Sequence, residues 1–98
     1  MRSACRNYID GKFVDTNDGS LEVYNPANQE LLGSVPESSA ETVDRAVDAA
    51  RRAQPAWERL PAITRAGYLK VIAKKLREYR ETLAQTITRE QGKVLPLA

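Results

Sequence analysis

The hydrophobic positions change period once along the chain. From Asn7 to Pro36 they alternate or fall in short runs broken by turn residues, and from Ser38 to Gly92 they recur every three or four residues. The first pattern predicts short strands and the second predicts amphipathic helices. Tyr8-Ile9 and Lys12-Phe13-Val14 flank Asp10-Gly11, a dipeptide that two-residue hairpin turns prefer. Asn17-Asp18-Gly19-Ser20 and Asn25-Pro26-Ala27-Asn28 read as further turns. Between them Leu21 and Val23 alternate with Glu22 and Tyr24, as in a half-buried strand. Glu30 to Pro36, with Leu31, Leu32 and Val35, is a further strand weakened by Gly33.

Ser38-Ser39-Ala40-Glu41 fits a capping box, with Ser38 as the cap and Glu41 reaching back to it. Val43, Ala46, Val47, Ala50 and Ala53 then form a narrow apolar stripe, and Asp44, Arg45, Asp48, Arg51 and Arg52 cover the other side. Small side chains permit close approach, so this helix should press against something flat. Pro55 should end it at Gln54, because proline lacks the N–H and disfavours helical geometry before it. Pro61 suits the first position of a second helix, carried by Ala66, Leu69, Ile72, Ala73, Leu76, Tyr79, Leu83 and Ile87. That run would reach roughly 40 Å unbroken, so a break is expected at Tyr79-Arg80-Glu81. Gly92 should close it with a left-handed cap. Trp57, between two prolines, reads as a plug fixing the angle between helices.

Composition narrows the function classes. Ninety-eight residues make one domain at most, and 15 basic against 13 acidic residues leave a net charge of +2, which makes no case for nucleic acid or membrane. Histidine is absent, which removes His-dependent triads and most zinc sites. The single Cys5 excludes an internal disulfide and suits a reducing cytoplasm; it reads as a thiol in a frayed tail, without a partnering base. No apolar leader or membrane-spanning run occurs. Gly92-Lys93 lacks the earlier glycine of a phosphate loop, and the five glycines never form G-x-G-x-x-G. Lys70, Lys74, Lys75, Arg77 and Arg80 are basic, but Glu78 and Glu81 interrupt them, and the joint from Pro55 to Pro61 is too long for a helix-turn-helix. They read as a solvated face. Beyond Gly92, Val94-Leu95-Pro96-Leu97-Ala98 reads as another element starting.

The residues carry a family resemblance. Tyr8-Ile9-Asp10-Gly11-Lys12-Phe13-Val14, Val23-Tyr24-Asn25-Pro26-Ala27 and Gly33-Ser34-Val35-Pro36 are similar to the N-terminal strands of aldehyde dehydrogenases. Val43-Asp44-Arg45-Ala46-Val47-Asp48-Ala49-Ala50, followed by Trp57, Arg65 and Leu69, resembles the family's first helices, and Glu90-Gln91-Gly92-Lys93 its E-x-G-K segment. Ala53-Gln54-Pro55-Ala56-Trp57-Glu58 and Leu60-Pro61-Ala62-Ile63 look most like the lactaldehyde/glycolaldehyde members.

The resemblance implies an α+β segment of an α/β enzyme, with short antiparallel strands at 7–36 followed by two or three helices at 38–92. Residues 1–98 would then be an incomplete N-terminal part of the cofactor-binding domain. It implies oxidation of an aldehyde to a carboxylic acid with NAD or NADP, through a cysteine thiolate, an oxyanion site and a glutamate that activates water. None of those groups maps onto this chain, so no catalytic or cofactor-binding residue is assigned, Cys5 is not the family nucleophile, and the chain alone should be inactive. One family feature does map: a structural Na⁺ or K⁺ at Val23, Tyr24 and Glu90. The implied partners are an aldehyde substrate and, for the full-length enzyme, further copies of itself, with no nucleic acid or membrane. Two readings stand beside this one. The chain would be a helical interaction module if it bound a partner while fully folded, and a nucleic-acid binder through Lys70 to Arg80 if its affinity fell steeply with salt. In the whole enzyme the Ala-rich stripe would lie on a sheet absent from this chain, so the chain alone should expose apolar surface and be marginal, molten or self-associating.

Overall fold

The computed structural model describes residues 3–15 and 18–98. Asn17 of the second expected turn lies outside them. Five strands precede three helices: β1 (Ser3–Ala4), β2 (Asn7–Ile9), β3 (Lys12–Val14), β4 (Ser20–Tyr24), β5 (Leu31–Pro36), α1 (Ala40–Glu58), α2 (Ala62–Glu78) and α3 (Arg80–Gln91), with a final 3-10 turn at Leu95–Leu97. The α+β class and the order of strands before helices are as expected.

The hairpin of β2 and β3 forms because Asp10 and Gly11 both take positive φ, 54° and 76°, which the tight hairpin turn requires. Its register pairs Tyr8 with Phe13 and Ile9 with Lys12. Period-two alternation therefore splits it into two faces. Tyr8 and Phe13 stack edge to face on the outer one, with centroids 5.0 Å apart, and Arg6 lies over the Phe13 ring. Asn7, Ile9 and Val14 are half-buried on the inner face, toward α1.

The second sheet has the order β1-β5-β4. Antiparallel pairing sets Leu21 opposite Val35 and Val23 opposite Gly33, with an irregularity between Val23 and Tyr24. Gly33 thus sits in the middle strand, paired on one side to Val23 and on the other to Ser3. The parallel β1 adds to the antiparallel scheme and corrects the frayed-tail expectation for Cys5, whose N–H donates to the Ser34 carbonyl at 2.9 Å. Parallel pairing joins residues far apart in sequence, so a two-residue strand leaves no local signal.

Three helix boundaries also move. The cap of α1 is Ser39, whose side chain accepts from the Thr42 N–H, while Ser38 Oγ accepts from Asn7 Nδ2 at 2.8 Å. Glu41 is left as a first-turn acid, favourable beside the positive helix end. Pro55 does not end α1, which runs on to Glu58 with Pro55 inside it. Proline removes one hydrogen bond, but its own carbonyl still accepts from the Arg59 N–H at 3.2 Å, and Leu60 N–H closes onto Trp57 at 3.1 Å. Trp57 then meets Tyr68 of α2, with ring centroids 5.5 Å apart, so the extra turn is anchored by the plug expected of it. Pro61 caps α2 from just outside, and its carbonyl accepts from Thr64 and Arg65. The break at Tyr79 (φ −98°, ψ 14°) and the left-handed cap at Gly92 (φ 71°) fall where expected.

The molecule is thin. Its extents are 49 × 35 × 16 Å and its radius of gyration is 17.0 Å, against about 13 Å for a compact chain of this length. It exposes 8138 Å², where a compact monomer of its mass exposes about 5,600 Å². Among the described residues only Ala49 and Thr42 are buried, both on α1.

Candidate functional site

The place where strands and helices are tied together is the start of α1. Asp18, in the turn before β4, aims Oδ2 at the Ser39 N–H (3.2 Å) and at the Thr42 hydroxyl (2.8 Å). In a capping box the third helical residue returns a hydrogen bond to the cap's N–H. Here Asp18, distant in sequence, supplies that bond, which is why the cap falls on Ser39. Sequence reasoning did not single out Asp18 or Thr42. The only local hint was Asp-Gly in a turn, and what Asp18 faces depends on how the turn folds back. The cluster holds one carboxylate and hydroxyls with no activated nucleophile, so it fixes a helix and performs no reaction.

The other expected site residues are placed as follows. Cys5 is exposed at the end of β1 and is the free cysteine of the chain. Val23 and Tyr24 lie at the end of β4, against which α3 packs. A Cβ on Gly92, just after α3, would come within 3.3 Å of the Pro26 ring, so the end of that helix approaches the turn that follows Tyr24. Glu90, in the last turn of α3, is exposed. The structure therefore brings the elements carrying Val23, Tyr24 and Glu90 into contact. Among the described residues no three His, Cys, Asp or Glu side chains gather as a metal site would need, and no helix is long and apolar enough to cross a membrane. The basic residues from Lys70 to Arg80 are exposed, with Lys75 engaged to Glu78 at 3.2 Å.

Apolar surface is the larger feature. Val43, Val47 and Trp57 on α1, Leu69, Ile72 and Leu76 on α2, and Leu83 on α3 are all exposed. Apart from Trp57, read as the plug between helices, these are helical positions that the three- and four-residue spacing marked as apolar faces. A free monomer rarely shows so much.

The aldehyde dehydrogenase family model matches residues 13–98. The chain belongs to the aldehyde dehydrogenase family. It is 44% identical to lactaldehyde dehydrogenase of Escherichia coli K12 over 92 residues, covering 93% of this chain and 19% of that protein. Identity to the NADP(+) succinate-semialdehyde dehydrogenase of the same organism is also 44%, over 88 residues, covering 89% of this chain and 18% of that one. The crystal structure of the E. coli lactaldehyde dehydrogenase superposes with a TM-score of 0.92 at 41% identity, over 96% of this chain and 20% of that one. A betaine aldehyde dehydrogenase from Staphylococcus aureus in complex with NAD+ superposes at 0.87, with 39% identity over 93% of this chain and 19% of that one. This aldehyde dehydrogenase chain spans about a fifth of the length of those relatives.

Proposed function

We propose that the chain is the N-terminal part of the cofactor-binding domain of an NAD(P)-dependent aldehyde dehydrogenase, residues 7–36 supplying outer strands and 38–92 the first helices. The observation that carries the reading is the match of nearly the whole chain to about a fifth of lactaldehyde dehydrogenase, in sequence and in structure. The reaction is oxidation of an aldehyde, in this reading lactaldehyde or glycolaldehyde, to its acid. Overall identity is 44% to both a lactaldehyde and a succinate-semialdehyde enzyme, so the choice of aldehyde rests on the resemblance at Ala53-Gln54-Pro55-Ala56-Trp57-Glu58 and Leu60-Pro61-Ala62-Ile63.

In this reading the dinucleotide is held by later parts of the full-length enzyme. Of the described glycines, Gly11, Gly19 and Gly92 take positive φ in a hairpin, a turn and a helix cap, and none opens a helix onto a phosphate. The chain's own contribution is architectural. Asp18 and Ser39 fix the start of α1, Trp57 and Tyr68 set its angle to α2, and the apolar faces of α1 to α3 dock on the rest of the enzyme. The working protein in this reading is a cytoplasmic homo-oligomer.

The test is NAD(P)-linked oxidation by the full-length product of the gene that carries these residues. Reduced cofactor should form with lactaldehyde and glycolaldehyde faster than with succinate semialdehyde, and none should form with the 98-residue chain alone. A full-length product that oxidises none of these aldehydes would overturn the reading.

A monovalent cation at the Val23 and Tyr24 carbonyls and the Glu90 carboxylate belongs to the same proposal. Its support is the packing of α3 against β4 and the hard oxygen ligands these groups would offer. Potassium should raise the melting temperature of the full-length enzyme relative to choline at equal ionic strength, and Glu90→Gln should remove most of that gain. Equal melting in the two salts would sink it.

A further inference from the structure

Two side-chain polar atoms are shut from solvent with no hydrogen-bond partner among the described residues: Arg65 Nε and Thr88 Oγ1. The two are not equivalent. Thr88 leaves a neutral hydroxyl unmatched, whereas Arg65 carries a guanidinium that stays protonated in proteins. Arg65 stands on α2 ahead of Leu69, Ile72 and Leu76, at steps of four, three and four residues. The charge therefore lies on the same stripe of the helix as three exposed apolar side chains. Covering such a face with protein traps the charge, which is costly unless the charge is paired.

No acid of α2 is placed to serve it. The residues one turn away are Pro61, Ala62, Tyr68 and Leu69, and the one acid of the helix, Glu78, is engaged to Lys75. The other ion pairs among the described residues join Arg6 to Asp15 and Arg52 to Asp10. Arg6 shows what this chain does with a guanidinium that has a partner: it grips Asp15 through two nitrogens, at 2.8 and 3.1 Å.

We infer that Arg65 is the polar anchor of the α2 face, gripping an Asp or Glu carboxylate carried by the rest of the full-length polypeptide. The inference rests on the reading of this chain as one part of an aldehyde dehydrogenase, since it covers only 20% of the superposed lactaldehyde dehydrogenase. Leu69, Ile72 and Leu76 give the docked face area but no direction, because apolar burial is non-directional. Neutral carbonyls around Arg65 would leave its charge uncompensated under that cover. A carboxylate matches both the charge and the fork, accepting two N–H bonds as Asp15 does from Arg6. The pair also fixes the register of docking, because a slide by one helical turn would bury both charges apart.

The experiment is thermal melting of the full-length protein, Arg65→Met and Arg65→Lys, at about pH 7.5 and about pH 5. In Arg65→Met the carboxylate is left buried and unpaired, which raises its folded-state pKa above the unfolded value. The penalty is then full at the higher pH and lifts as the group takes up a proton, while the paired carboxylate of the parent stays ionised. Arg65→Met should melt about 5 °C or more below the parent at the higher pH, and that deficit should shrink by about half at the lower one. Arg65→Lys keeps the charge without the fork and should recover about half of the deficit. Should Arg65→Met fail to fold at the higher pH, recovery of its native circular dichroism at the lower pH alone makes the same case. Failure at both overturns the inference. So does a deficit equal at the two pH values, or a Lys variant no better than Met. A deficit seen only with NAD(P) bound would assign Arg65 to the cofactor phosphates and overturn it too. Aldehyde oxidation by the unaltered protein is scored separately: its absence with the melting pattern intact removes the enzyme reading, and its presence without that pattern removes only the anchor.

Discussion

The strand half of the molecule and the α2–α3 half are held by different forces. Around β1 to β5 and the start of α1, contacts join residues far apart in sequence: Ser3 to Gly33, Asn7 to Ser38, Asp18 to Thr42. Both buried residues, Thr42 and Ala49, lie on the helix that this half grips. The α2 and α3 helices contain no buried residue, and their order is local, from backbone ladders and from pairs such as Lys75–Glu78 and Gln85–Glu81. Isolated helices of this length are marginal in water, because helix nucleation is costly and most helix stability comes from packing. The difference teaches that the strand half is tied together by contacts between distant residues, whereas α2 and α3 keep their apolar faces exposed and rest on local order.

The most direct way to break that comparison is Leu76→Ala, made both in the 98-residue chain and in the full-length protein. Leu76 is 56% exposed here, so denaturant unfolding of the short chain should shift by no more than about 0.5 kcal/mol. In the full-length protein, with the face covered, the same change should cost about 2–5 kcal/mol. Equal small effects in both would mean that this face stays open. Thr42→Val sharpens the other side. It removes the hydroxyl that donates to Asp18 and leaves that acceptor one partner short, so the short chain should lose about 1–2 kcal/mol. Amide exchange should then quicken at Ser39 and Thr42 before it does in α3. Smallest is Gly11→Ala. The added methyl meets open space, but φ of +76° disfavours any side chain, and about 1 kcal/mol of hairpin stability should go. Exchange at the β2–β3 amides reports it, and an unchanged hairpin would show that the turn relaxes.

The pattern of residues reveals much of this, and unevenly. Asp10-Gly11 predicted its hairpin because that turn needs two residues tolerant of positive φ, and both take it. Gly92 and Tyr79 marked the end and the break of the helical run for equally local reasons. Ser38 was the wrong cap because the competition between two adjacent serines was decided by Asp18, which arrives from another turn. Pro55 looked like a stop because the rule for proline counts the bond it loses; the contact between Trp57 and Tyr68 lies outside that count. At the level of sites, the placement of Val23 and Tyr24 near the end of α3 follows from packing.

The sequence by itself determined the period of each element, the turns that need glycine or asparagine, and the family, because each depends on residues close together in the chain or on their order. Only the tertiary structure decided which serine caps α1, that β1 pairs with β5, and that Cys5 is tied to the sheet. Those outcomes rest on hydrogen bonds between distant residues, whose energies depend on distances that no local pattern encodes.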